Sequence, residues 1–162
     1  MTYTVILFIT RNSNLTSEEF KHHYENTHIP LVHSLVGSFW PKEFRRRYLA
    51  RISRKGFGGP ANPDRPLLTL RGSTFDDDYD CIAELSFTSE EMFHSFYKKI
   101  YERDVAAVLA KDEEKFLEPG KTRVVVVGES WITDQNGVTT NEISPVSKSD
   151  GYDSEASASG RS

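Results

Sequence analysis

Cysteine is all but absent: Cys81 is the only one in 162 residues. No disulfide can close within the chain, and the apolar neighbours of Cys81 point to a small buried thiol. Long hydrophobic runs are also missing. "MTYTVILFIT" at the start has no basic leader, and its apolar stretch ends too soon to cross a bilayer. Neither a signal peptide nor a membrane helix is expected, and a reducing, cytoplasmic setting is. An excess of one charge is lacking too. Of the formal net charge of −4, residues 130–162 contribute five acids and two bases, which leaves nineteen acids and eighteen bases for residues 1–129. So nearly neutral a body has no field to attract nucleic acid or an anionic membrane. A phosphate cradle is missing as well. "GFGGP", residues 56–60, is glycine-rich, but prolines follow it and no strand-to-helix context surrounds it, so a nucleotide loop is not expected.

What is present suffices for one core, since 37% of the residues are hydrophobic. "YTVILFI" is β-branched, aromatic and apolar at both odd and even positions, which predicts a first strand over Tyr3–Ile9 covered on both faces. In "TSEE" Thr16 stands three residues before Glu19, a reciprocal cap for a helix from about Ser17 to His28. Pro30 predicts a break or kink near Ile29 before "LVHSLV" adds a turn. "FRRRYLARISR" alternates as a second strand, with Phe44, Arg46 and Tyr48 on one face and Arg45, Arg47 and Arg51 on the other. The glycine- and proline-rich stretch at about 55–78 is too long for a turn and reads as an irregular insertion, a lid or a disordered segment. "YDCIAELSF" predicts the third strand, "TSEEMFHSFYKKIY" a helix capped by Thr88 and Glu91, "DVAAVLAKDEEKF" a further helix, and "TRVVVVGE" the last strand. From residue 132 onward Ser, Asp, Gly and Thr dominate, so 132–162 is expected to be a disordered tail behind a domain spanning 1–131.

The order is βαββαβ, which predicts an α+β, ferredoxin-like antiparallel sheet with helices on one face. Its bare face invites a second copy of the chain, sheet against sheet, in a symmetric homodimer.

"FKHHYENTHIPLVHSL", residues 20–35, holds four of the five histidines. No two of them are four residues apart, and the chain has no second cysteine, so a zinc site is not expected. A single imidazole in a partly apolar pocket is enough for acid–base work. His28, at the predicted helix end, is the first candidate. Tyr24 is its neighbour one turn back. Against this stands a purely structural role, a histidine interacting with the helix dipole.

The segment "LTSEEFKHHYENTHIPLV" resembles the signature of the EthD domain family, carried here by Phe20, His23, Tyr24, His28, Pro30 and Leu31. "YDCIAELSF" is similar to the family's third-strand motif through Asp80, Ala83, Glu84 and Phe87, and "DEEKFL" to its Asp-containing segment before the last strand. The likeness spans roughly residues 3–129. Tyr24 stands where Trp is common, Cys81 where Gly is common, and the insertion is long. The resemblance implies a dimeric α+β barrel with a cavity between sheet and helices. It also implies chemistry on hydrophobic aromatic polyketide-type molecules without metal, flavin or nicotinamide.

On this basis His28 is the expected acid or base, with His23, Tyr48 and Arg46 polarising or holding phenolate and carboxylate groups. Tyr24, His33 and Asp80 complete the expected substrate contacts, with Asp80 as the carboxylate that orients His28. Glu84 is expected to pair with an arginine of the second strand; Trp40 and Trp131 are expected as packing or interface anchors. Decarboxylation, dehydration or cyclisation would each suit these groups. The alternatives are a cofactor-free monooxygenase and a non-catalytic dimeric binder of apolar metabolites.

Overall fold

The computed structural model describes residues 2–62, 65–72 and 79–143. Parts of the expected insertion (63–64 and 73–78) and of the expected tail (144–162) lie outside them. The elements run β1 Tyr3–Ile9, α1 Ser17–His23, α2 Ile29–Val36, β2 Glu43–Tyr48, β3 Cys81–Phe87, α3 Glu90–Ile100, α4 Arg103–Phe116, β4 Arg123–Val126, β5 Glu129–Thr133 and β6 Thr139–Ile143. The first four strands form one antiparallel sheet in the order β2-β3-β1-β4, the ferredoxin-like arrangement. No helix among the described residues is long and apolar enough to cross a membrane.

Register decides which side chains meet the helices. Val5 lies across from Leu85 and Val126, Leu7 from Ala83 and Val124, and Arg46 from Ala83, so these residues share one face. On that face Tyr3, Val5, Leu85 and Phe87 pack with Val32, Phe96 and Leu109 of the helices. Ile9, Cys81 and Ala83 pack with Phe20, Tyr24 and Phe116. The opposite face carries Ile6 beside Val125, and Phe8 beside Ile82. β4 lies at the sheet edge with Val124, Val125 and Val126 all exposed. It is thus uncovered within the chain. Cys81 is fully buried, and burial pushes its thiol up to about 12.

The first cap forms as its spacing predicts: Thr16 Oγ1 accepts from the Glu19 N–H at 3.2 Å and the Glu19 carboxylate accepts from the Thr16 N–H at 2.8 Å. Of the break or kink expected near Ile29, the break does not occur. Instead α1 runs through a widened π-helical turn, Tyr24–His28, directly into α2, with the Ile29 N–H reaching back five residues to the Tyr24 carbonyl. Pro30 falls in the first turn of α2, after the ladder has already shifted, so its missing donor does not interrupt the rod.

Three further expectations are corrected. α3 is capped by Ser89, whose hydroxyl accepts from the Met92 N–H at 3.2 Å, one residue later than the Thr88 cap. Regular β2 ends at Tyr48; beyond it only single bridges, Arg51 with Leu67 and Arg54 with Ala61, tie the chain to the insertion. Residues 132–143, read as disordered tail, belong to an antiparallel hairpin of β5 and β6, so a boundary at 131 falls inside a strand. Backbone pairing and turn chemistry hold it rather than burial. The Asp134 carboxylate accepts from the Asn136 and Val138 N–H groups at 2.8 and 2.9 Å, and Gly137 takes φ +80°, which glycine adopts without strain.

Candidate functional site

The widened turn aims the histidines. In an α-helix, residues five apart are rotated by about 140° around the axis, which would splay His23 and His28. The extra residue per turn across 24–28 brings both to one carboxylate, that of Asp112 on α4. His28 Nδ1 lies 2.9 Å from Asp112 Oδ2, and His23 Nε2 lies 2.9 Å from Asp112 Oδ1. Phe116, one turn along α4 and fully buried, packs against both imidazoles with centroids 4.8 Å away. Asp112 is 4% exposed and His28 9%, so the carboxylate is withdrawn from water and satisfied by ring N–H groups instead.

Burial pushes the His28 pKa below its ordinary value, and this outweighs the opposing pull of Asp112. At neutral pH His28 is therefore uncharged, with Nδ1–H donating to Asp112 and Nε2 carrying the free lone pair. Nε2 has no hydrogen-bond partner among the described residues. His28 lines a cavity of about 150 Å³ between sheet and helices, walled chiefly by apolar residues such as Val5, Leu85, Phe93 and Phe96. Tyr24 lines it too, edge-on to His28 at 5.6 Å, and burial raises its phenol well above the usual range. Exposed Tyr97, Tyr101 and Val124 mark where the cavity meets solvent. A base in an apolar chamber with its tautomer fixed by a carboxylate is an arrangement suited to proton abstraction.

The other expected residues are placed differently. Arg46 and Tyr48 do share a face of β2, but both are bound to Glu25 of the widened turn. Arg46 grips its two oxygens at 2.7 and 2.8 Å, and the Tyr48 hydroxyl donates to one at 2.6 Å. Arg46 holds the Glu25 carboxyl below its ordinary pKa, while burial and the hydrogen bond to Glu25 push the Tyr48 phenol far up. Neither side chain lines the His28 cavity; Tyr48 faces a separate cleft with Asp80, Arg51 and Arg65. Asp80 does not orient His28. Its carboxylate accepts from the Arg11 backbone N–H at 2.8 Å and pairs with the Arg11 and Arg51 guanidiniums, which fix it at the end of the sheet. His33 is exposed and packs on Trp40 at 4.9 Å, away from the cavity. Glu84 does pair with an arginine of β2, Arg47 at 3.8 Å, and Arg45 and Arg51 pair with Glu43 and Asp80. Trp40 packs against Phe44, whereas Trp131 stands exposed on β5.

Asp112 is the central residue that the candidate set lacked. "DEEKFL" touched it, but the contact spans 84 residues to His28 and 89 to His23, a pairing no local pattern announces. Among the described residues no group of three or more His, Cys, Asp or Glu side chains is arranged to hold a metal ion.

An α+β, ferredoxin-like domain with a histidine–carboxylate pair opening on an apolar cavity is the class these features define. The EthD domain profile matches residues 12–120, and the chain belongs to that family. No curated protein sequence matches the chain. Among solved structures it is similar to an ethyl tert-butyl ether D (EthD) family protein from Bacillus halodurans C-125, at 19% identity and TM-score 0.44, over 78% of this chain and 97% of that one. It is also similar to an EthD-like protein from Ralstonia eutropha JMP134, at 13% identity and TM-score 0.43, covering 76% and 89%. A dimeric ferredoxin-like protein of unknown function from Thermobifida fusca YX matches at 15% identity and TM-score 0.43, covering 78% and 90%.

Proposed function

We propose that the protein is a cofactor-independent tailoring enzyme that moves protons on an apolar, aromatic polyketide-type substrate. His28 acts as the base, and Asp112 holds its tautomer. One observation carries this reading: a buried, neutral imidazole with one nitrogen fixed by a carboxylate and the other unpartnered, in the wall of an apolar cavity. Decarboxylation, dehydration and cyclisation each pass through an enol-like species, so a single base in a dry chamber serves any of them. His23 shares Asp112 and steadies it, a positioning role rather than contact with substrate. The working unit is a homodimer, favoured by the uncovered sheet face and by the exposed valines of β4.

The test uses a panel of phenolic polyketide ketones and acids, incubated with the protein and followed by mass spectrometry. Wild type is expected to convert at least one member, and His28→Asn to lose roughly 10²-fold or more of that rate. Equal rates would overturn the assignment of His28. Undiminished turnover without oxygen separates proton chemistry from oxygenation.

A further inference from the structure

The His28 cavity also holds a carboxyl side chain that was not among the expected site residues. Glu113 lines it. Asp112 and Glu113 are adjacent on α4, so their side chains diverge by about 100° around its axis. Asp112 turns to the two histidines, whereas Glu113, like Leu109 one turn earlier, turns to the cavity. The Glu113 carboxyl makes no hydrogen bond or ion pair among the described residues. Burial first, and then the nearby charge of Asp112, push its pKa up from the ordinary value.

The cavity also contains no cation to receive an anion. Its ionisable lining among the described residues is His28, Glu113 and the phenols of Tyr24, Tyr97 and Tyr101, with no lysine or arginine. Arg46, the expected carboxylate clamp, is bound through Nε and Nη2 to Glu25 and through Nη1 to the Phe44 carbonyl, and lies outside the lining. A carboxylate entering would lose its hydration with nothing to offset the loss, and would meet Asp112 behind His28. An uncharged carbonyl or phenol loses less, and gains a hydrogen bond from an undissociated acid. A void of about 150 Å³ with apolar walls admits one benzene-sized ring.

We propose that this cavity selects an uncharged carbonyl or phenol compound about one aromatic ring in size, with Glu113 donating a hydrogen bond to its oxygen, and that it excludes the carboxylate of the same shape. This rests on the site proposed above and narrows its substrates towards ketones and phenols over free acids.

The probes are acetophenone and benzoate, alike in size and different in charge, titrated into the full chain by calorimetry at neutral pH. Carboxyl and imidazole resonances are followed by NMR, with Glu113 assigned by its loss in Glu113→Gln. Acetophenone is expected to bind at least about tenfold more tightly than benzoate and to shift both the Glu113 and His28 signals. Glu113→Gln, uncharged and still a donor, should keep that preference. Glu113→Leu should weaken acetophenone by about tenfold, the worth of one buried hydrogen bond. Benzoate binding as tightly as acetophenone would overturn the proposal. So would a Glu113→Gln protein that newly admits benzoate, because ionised Glu113 would then have been doing the excluding. Probes that move neither signal would overturn it as well. Turnover is read separately: discrimination between the probes without turnover retires the catalytic role of His28 and leaves the selectivity standing. Turnover of free acids does the reverse.

Discussion

Asp112→Asn is the substitution that tests the centre of the site, because it keeps shape and removes one acceptor. Asp112 accepts from His23 Nε2 and His28 Nδ1, both at 2.9 Å, in a place only 4% exposed. Asparagine offers one oxygen and one NH2 group, so one of the two imidazoles must present a lone pair where it now presents a proton. Each charge-assisted bond of this kind contributes about 1.5–3 kcal/mol, and removing the buried charge returns part of that. A net loss of about 2 kcal/mol is expected. For a chain of this length it lowers Tm by roughly 4–8 °C, readable by thermal denaturation and checked by urea midpoint. Where His28 is the ring that reverses, its proton moves to Nε2, which then no longer carries the free lone pair, and 15N shifts of the imidazole report this directly. Stability equal to wild type, together with an unchanged His28 tautomer, would refute the reasoning.

Two other expectations follow from the same geometry. His28 has a folded pKa below its ordinary 6.5, so the stability it contributes is complete above that value and is lost as pH falls through it towards the folded pKa. Glu113 has a folded pKa above its ordinary 4.5, so its contribution is complete below that value and is lost as pH rises. Urea midpoints against pH should carry both contributions, with His28→Asn removing the gain as pH rises towards 6.5 and Glu113→Gln the loss as pH rises above 4.5; profiles unaltered in these variants would contradict the assignment. Val125→Glu places a charge on the uncovered sheet face and should halve the solution mass from twice 18.5 kDa, measured by light scattering. A wild type already at 18.5 kDa would remove the case for the dimer.

The sheet was legible because its strands are long apolar alternations bounded by strong caps, and β1, β3 and α4 fall within a residue or two of expectation. What escaped was set by contacts distant in sequence or by turns poor in apolar residues. The β5–β6 hairpin buries almost nothing, so a composition-based reading sees only polar residues, although the Asn136-Gly137 turn was there to be noticed. Pro30 was read as a break or kink because its cost depends on the ladder ahead of it, and that ladder was already shifted. At the site, His28 could be found from its surroundings in the chain, since Tyr24 and Pro30 flank it. Arg46, Tyr48 and Asp80 could not be excluded beforehand, because what disqualifies each is a partner, Glu25 or two arginines, delivered by the fold.

The bulge between α1 and α2 works as a phase slip in a single rod: upstream and downstream halves are clocked differently, and the two rings meet only because the count between them is odd by one. Winding the same residues as regular α-helix would leave both rings intact in identity while turning them about 140° apart. In this domain the meeting of the two rings is therefore written in the winding of a segment as much as in its letters.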